Sequence, residues 1–120
     1  SVDFPHVLEP DVLVAMAQGV YDRFVTETKR GGLVIYDNQL VKPKDYGLHH
    51  KPIRATEVAI REFGNKQVAN IVMLGALTTL TQVVSRAAME SAVSNHVPQR
   101  FREINLRAVR RGFRLGETPS

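Results

Sequence analysis

Cysteine is absent from this chain of 120 residues. That excludes disulfides and any thiolate-held zinc or iron–sulfur cluster on the chain itself, and it leaves a cytosolic (cytoplasmic) compartment as the default. Long apolar runs are scarce too. The longest, Ile71 to Leu77 with its flanks, falls far short of the ~20 residues that cross a bilayer, so no membrane role is expected. The first residues, SVDFPHVLEPDVLV, lack a basic region followed by an apolar stretch, which is the mark of a signal or transit peptide. Catalytic signatures are missing as well: no cysteine nucleophile, no Gly-x-Ser-x-Gly elbow, no His-Glu-x-x-His, no Walker loop and no Gly-x-Gly-x-x-Gly. No spacing pairs the serines with the histidines. A self-sufficient enzyme is not what this composition describes.

What is present is ordinary in amount and uneven in placement. With 43% hydrophobic and 23% charged residues the chain is globular rather than disordered, and its length suits a single domain with a real core. The net charge of +4 has a location: six arginines (Arg100, Arg102, Arg107, Arg110, Arg111, Arg114) stand against Glu103 between Pro98 and Gly116, leaving about −1 for everything else. A charge run of this kind is usually a solvated helix face. Phe101 and Phe113 fall on its apolar side rather than between the arginines, so no nucleic-acid partner is expected.

The first third reads as strand, helix, strand. Asp11–Met16 is a short apolar run after Glu9-Pro10 and predicts a buried strand. Ala17–Thr28 places Val20, Tyr21, Phe24 and Val25 on one face and ends in Lys29-Arg30-Gly31-Gly32, cations in the last turn with glycine beyond. Leu33–Tyr36 predicts a second buried strand, closed by Asp37-Asn38. Tight connections make this a βαβ unit with parallel strands. Leu40–Lys51 predicts a loop or short edge strand, and Pro52–Arg54 a third strand. His49 and His50 are adjacent and point apart, so they suit a surface pair better than a metal site.

Helices fill the rest. Thr56 is the expected cap of a helix over Glu57–Phe63, with Val58, Ala59, Ile60 and Phe63 facing inward and Gly64 ending it. Asn65 caps the next, over Lys66–Gln82, which contains VANIVMLGAL (Val68–Leu77). That segment is apolar all round, so it demands cover on every side. Its single polar side chain, Asn70, is expected to be a buried amide. Gly75 and Ala76 would let a neighbouring backbone approach closely, Met73 is a packing residue, and threonines 78, 79 and 81 mark the return to solvent. Ser85 caps a further helix through Val93, and Pro98 opens the last one. In that helix Phe101, Ile104, Asn105, Leu106, Ala108, Val109 and Phe113 cover an arc near 200°, roughly twice the usual apolar stripe. Asn105 lies on the inward face as a candidate partner for Asn70.

Five runs then carry a family resemblance. PDVLVAMAQGVYDRFV (Pro10 to Val25), GGLVIYDNQLV (Gly31 to Val41), PIRATEVAIREFGN (Pro52 to Asn65), VANIVMLGAL, and VPQRFREINLRAVRRG (Val97 to Gly112) resemble, in that order, the carboxyl-terminal two-thirds of the gamma subunit of 2-oxoacid:ferredoxin oxidoreductases. Among these the chain looks most like the gamma subunit of the 2-oxoglutarate enzymes. Family gamma chains begin with roughly seventy more residues carrying a glycine-rich loop of the Gly-Gly-Gln-Gly type, a motif this sequence does not contain.

The resemblance implies an α/β fold, a three-layer sheet with helices on both faces, lacking the amino-terminal glycine-rich βαβ and helix-rich in its carboxyl-terminal half. It implies a subunit of a complex that oxidatively decarboxylates a 2-oxoacid on thiamine diphosphate with magnesium, forms the acyl-coenzyme A and passes electrons through iron–sulfur clusters to ferredoxin. Those cofactors would sit on sibling chains, none on this one. The expected partners are alpha and beta subunits, with a delta chain as a further candidate. Asn70, Met73, Gly75, Asn105, Arg107 and Arg111 are the candidate interface or buried polar residues. Arginines 107, 110, 111 and 114 suit an acidic sibling surface or coenzyme A phosphates. The alternative is a free-standing α/β interaction module without enzymatic activity.

Overall fold

The computed structural model describes residues 11–118, and the chain divides after Pro52 into two compact units. The amino-terminal unit is built on a strand β1 (Val12–Ala15), a helix α1 (Gln18–Phe24) and a strand β2 (Leu33–Asp37). β1 and β2 pair in parallel, with Val12 opposite Leu33 and Ala15 opposite Tyr36. This is the expected βαβ unit. A third strand, β3 (His49–Ile53), completes the order β1-β2-β3, and at its entry the His49 N–H donates to the Gly32 carbonyl at 2.9 Å. His49–Lys51, expected as loop or edge strand, and Pro52-Ile53 thus form one element. Pro52 fits there because an edge strand need not donate every N–H.

The core of this unit is Leu13, Ala15, Tyr21, Val25, Val34 and Val41, with Tyr36 and Leu48 against it. α1 is shorter than the periodicity predicts, because its last turn tightens into a 3₁₀ turn over Val25–Glu27. It buries only Tyr21, and Val25 follows one turn later, so the expected inward positions Val20 and Phe24 are instead exposed. A seven-residue helix has room for a narrow buried stripe and no more. The Asp37 side chain accepts from the Gln39 N–H at 2.9 Å and turns the chain after β2.

The carboxyl-terminal unit is helical: α2 (Ala55–Phe63), α3 (Ala69–Thr81), α4 (Arg86–Asn95) and α5 (Gln99–Glu117). Thr56 is not the cap of α2; it lies inside the helix and is buried, and the capping position falls on Arg54, whose side chain makes no cap bond. Gly64 stops α2 in left-handed geometry (φ 62°), with its N–H on the Ile60 carbonyl at 3.1 Å. The Asn65 side chain accepts from the Gln67 N–H at 2.9 Å, and the Ser85 hydroxyl from the Ala88 N–H at 3.0 Å, so both serve as the predicted caps. Ile60, expected inward, is half exposed, since α2 buries Val58 and Ala59 on its other side.

The tightest packing in the molecule is between α3 and α5. A Cβ placed on Gly112 would collide with the Val72 carbonyl and stand 2.9 Å from the Gly75 Cα; one on Gly75 would stand 2.8 Å from the Gly112 Cα; one on Gly116 would meet the Thr79 Cβ at 2.8 Å. The helices therefore touch backbone to backbone, as Gly75 and Ala76 foretold. Thr79 stitches the pair by donating its hydroxyl to the Phe113 carbonyl at 2.8 Å. Of the three threonines expected to mark a return to solvent, Thr79 and Thr81 are half-buried, whereas Thr78 is buried and donates to the Leu74 carbonyl at 2.8 Å, so burial leaves its hydroxyl satisfied. Val93 of α4 packs on Val109 and Phe113, with Ile71 and Met89 alongside.

Candidate functional site

The predicted site residues fall into three environments on the helical unit. Met73 and Gly75 lie on the buried face of α3, Met73 in the core and Gly75 against α5. Asn70 stands elsewhere. It is exposed, so the expectation of a buried amide is corrected: α3 turns its Val72–Met73 and Gly75–Ala76 pairs inward and leaves Asn70 open to solvent. Asn105 is half-buried and donates its Nδ2 to the Phe101 carbonyl at 2.8 Å, one turn back on its own helix. The two amides nevertheless share one groove of about 280 Å³, together with Gln67, Ile71, Phe101 and Ile104. Asn105 thus bonds its own helix, and the two amides meet only as neighbours lining that groove.

The third environment is cationic. Arg107, Arg110, Arg111 and Arg114 of α5 border a cavity of about 270 Å³ with Glu62 and Phe63 of α2. Arg111 forks onto Glu62, its Nε at 2.8 Å from Oε1 and its NH2 nitrogen at 3.1 Å from Oε2. The fork holds the Glu62 carboxyl below the ordinary carboxylate range and pushes the Arg111 guanidinium up, in each case mainly through the hydrogen bond. Arg110 reaches Glu90 of α4 at 3.0 Å, and Arg107 stacks over the Phe63 ring at 5.4 Å. Glu62 was not singled out in the sequence. Forty-nine residues separate it from Arg111, and no helical period connects them.

In the amino-terminal unit, the buried Tyr21 hydroxyl accepts from the Lys44 N–H at 2.9 Å and lies 2.9 Å from the His50 Nε2. His50 is thus engaged by a tyrosine rather than by its neighbour His49. Among the described residues no group of three His, Cys, Asp or Glu side chains is placed to hold a metal ion, and no helix is long and apolar enough to cross a membrane.

A short parallel sheet feeding a helical unit, with its charge gathered on one terminal helix, defines an α/β protein whose polar residues are spent on caps, turns and ion pairs. Residues 1–115 match the model of the family described as pyruvate ferredoxin/flavodoxin oxidoreductase, and the chain belongs to that family. It is 40% identical to the 2-oxoglutarate synthase subunit KorC of Methanocaldococcus jannaschii over 97% of its own length and 64% of that protein's. The chain therefore spans just under two-thirds of this curated relative. The gamma subunit of a keto/oxoacid ferredoxin oxidoreductase from Geobacter sulfurreducens superimposes with a TM-score of 0.85 at 36% identity, covering 89% of this chain and 64% of that one. The 2-oxoglutarate:ferredoxin oxidoreductase of Magnetococcus marinus, solved with 2-oxoglutarate, coenzyme A and succinyl-CoA bound, shares the fold at a TM-score of 0.79 and 24% identity, over 92% of this chain and 20% of that one.

Proposed function

We propose that this chain serves as a gamma-type subunit of a multi-subunit 2-oxoacid:ferredoxin oxidoreductase, most similar to those acting on 2-oxoglutarate. The reaction is oxidative decarboxylation of the 2-oxoacid to its acyl-coenzyme A, with electrons delivered to ferredoxin. The observation that carries this reading is the 40% identity to a 2-oxoglutarate synthase subunit over nearly the whole chain.

The residues present do not fit the redox and thiamine chemistry on this chain alone. There is no cysteine for an iron–sulfur cluster. Among the described residues no carboxylate cluster suits the magnesium of a diphosphate. The part assigned to this chain is assembly and support of an active site formed by alpha and beta subunits. Exposed apolar side chains are consistent with that role: Val20, Phe24, Leu40 and Tyr46 on the amino-terminal unit, and Ile60, Val83, Val84 and Phe101 on the helical one.

Co-purification tests it. A tagged chain co-expressed with alpha and beta subunits of such an enzyme is expected to retain both through gel filtration, and the complex to reduce ferredoxin with 2-oxoglutarate and coenzyme A. Recovery of the tagged chain alone would refute the subunit reading and favour a free-standing interaction module.

A further inference from the structure

The four arginines around the α2–α5 cavity are not equivalent. Arg111 is committed to Glu62 and Arg110 to Glu90. Arg107 and Arg114 form no ion pair within 4 Å among the described residues; the Arg107 guanidinium sits over the Phe63 ring, and Arg114 acts on the Glu62 carboxylate only at longer range. Two positive charges therefore have no ion-paired carboxylate of their own. Their spacing of seven residues puts them on one face of α5, about 10 Å apart at 1.5 Å of rise per residue. The Glu62–Arg111 fork ties α5 to α2 beside them, and the Phe63 ring lies beneath one guanidinium at 5.4 Å. Arg111 is a positioning residue, and the row it steadies is Arg107 and Arg114.

The shape of the cavity argues about the ligand. About 270 Å³ is slightly below the size of usual small-molecule pockets, ~300–1,000 Å³, which also bury most of what they bind. This one is shallow and bordered by solvated side chains: the Arg110 side chain is 56% exposed. Two guanidiniums two helical turns apart match a pair of carboxylates on a broad surface better than one compact phosphate. We propose that Arg107 and Arg114 form a docking row for an acidic protein surface presenting two carboxylates about 10 Å apart, the partner being a sibling subunit of the assembly. This rests on the subunit reading above. Arg111, which the sequence pointed to, is not itself the docking residue.

The test uses the full chain and the co-expressed alpha and beta subunits. R107Q/R114Q is compared with R30Q/R100Q, which removes the same charge from exposed arginines outside the row, with circular dichroism confirming that both variants fold. Binding is measured by interferometry at low and high sodium chloride. The row variant is expected to bind about tenfold more weakly at low salt and to lose much of the salt dependence, while the control stays within about twofold of wild type. Capture by wild type with equal loss in both variants, or in neither, overturns the docking row and leaves the subunit reading standing. Failure of wild type to capture any subunit overturns both. Titration with coenzyme A and with inorganic pyrophosphate separates the other occupant: binding that wild type shows and the row variant loses, with assembly unchanged, makes the row a small-anion site and overturns the proposal.

Discussion

In the amino-terminal unit the most buried large side chain, Tyr21, organises its surroundings by what it carries: its hydroxyl serves the Lys44 N–H and faces His50, and its ring fills the space beneath the sheet. In the carboxyl-terminal unit the organising positions, Gly75, Gly112 and Gly116, work by what they lack. The first arrangement is a polar group that must be matched; the second is a contact of backbones that admits no added atom. A matched polar group can be lost at moderate cost, because neighbours or water take over part of the bonding. A backbone contact has no rotamer through which to relax. The two halves should therefore differ in how they fail.

Gly112→Ala is the harshest way to break that contrast, and the largest effect is expected from it. The new methyl meets the Val72 carbonyl and the Gly75 Cα, both main-chain atoms, so α3 and α5 must separate. A cost of about 3 kcal/mol, at the upper end for overpacking, is expected in urea denaturation. Hydrogen exchange should quicken along α3 and α5 while β1 and β2 keep their protection. A loss below about 1 kcal/mol would show that the crossing yields easily and that glycine is not required.

Tyr21→Phe probes the other half. The ring stays and the hydroxyl goes, leaving the Lys44 N–H without its acceptor. The expected loss is about 1–2 kcal/mol, with faster exchange at Lys44 and in β3 rather than in the helices. Equal slowing or quickening in both units would mean that they respond as one, against the contrast drawn above.

How far the sequence anticipated this depends on whether a feature is local. β1, α1, β2, the Gly64 stop and the Asn65 and Ser85 caps were readable because each is decided within a few residues. Gly75 was readable as a point of close approach, but its partner glycines were not. Gly112 and Gly116 sit four apart on one side of α5, a signal masked in the sequence by the wide apolar arc of the same helix. Thr56 and Thr78 misled because a threonine inside a helix looks like a cap or a solvent face when its burial is unknown. Asn70 misled for the opposite reason. A uniformly apolar helix says that much of it is covered and nothing about which side is not, so Asn70→Leu, which a buried amide would have made costly, is now expected to change stability by less than about 0.5 kcal/mol in the isolated chain. At the candidate site the arginines were legible as a run. Their sorting into paired and unpaired depended on Glu62 and Glu90, which reach them across the fold.

The gentlest probe is pH, because the Glu62–Arg111 fork joins α2 to α5 through a partly solvated ion pair. The Glu62 carboxyl is held below its ordinary range chiefly by the Arg111 hydrogen bond, with partial burial opposing. A carboxylate whose folded pKa is depressed stabilises the fold fully above its unfolded value, about 4.3, and that stability fades as pH falls through the lower folded value. The pair is partly solvated, with the Arg111 side chain 23% and the Glu62 side chain 41% exposed, so screening keeps its worth to about 1 kcal/mol or less. Glu62→Gln should lower stability slightly at pH 7 and become indistinguishable from wild type in acid, the two denaturation midpoints converging as pH falls through the depressed folded value. Such convergence would place the fork among the weak supports of the helical unit, an order of effect beneath its glycine contact. A difference that persisted unchanged into acid would show that Glu62 contributes by packing rather than by charge.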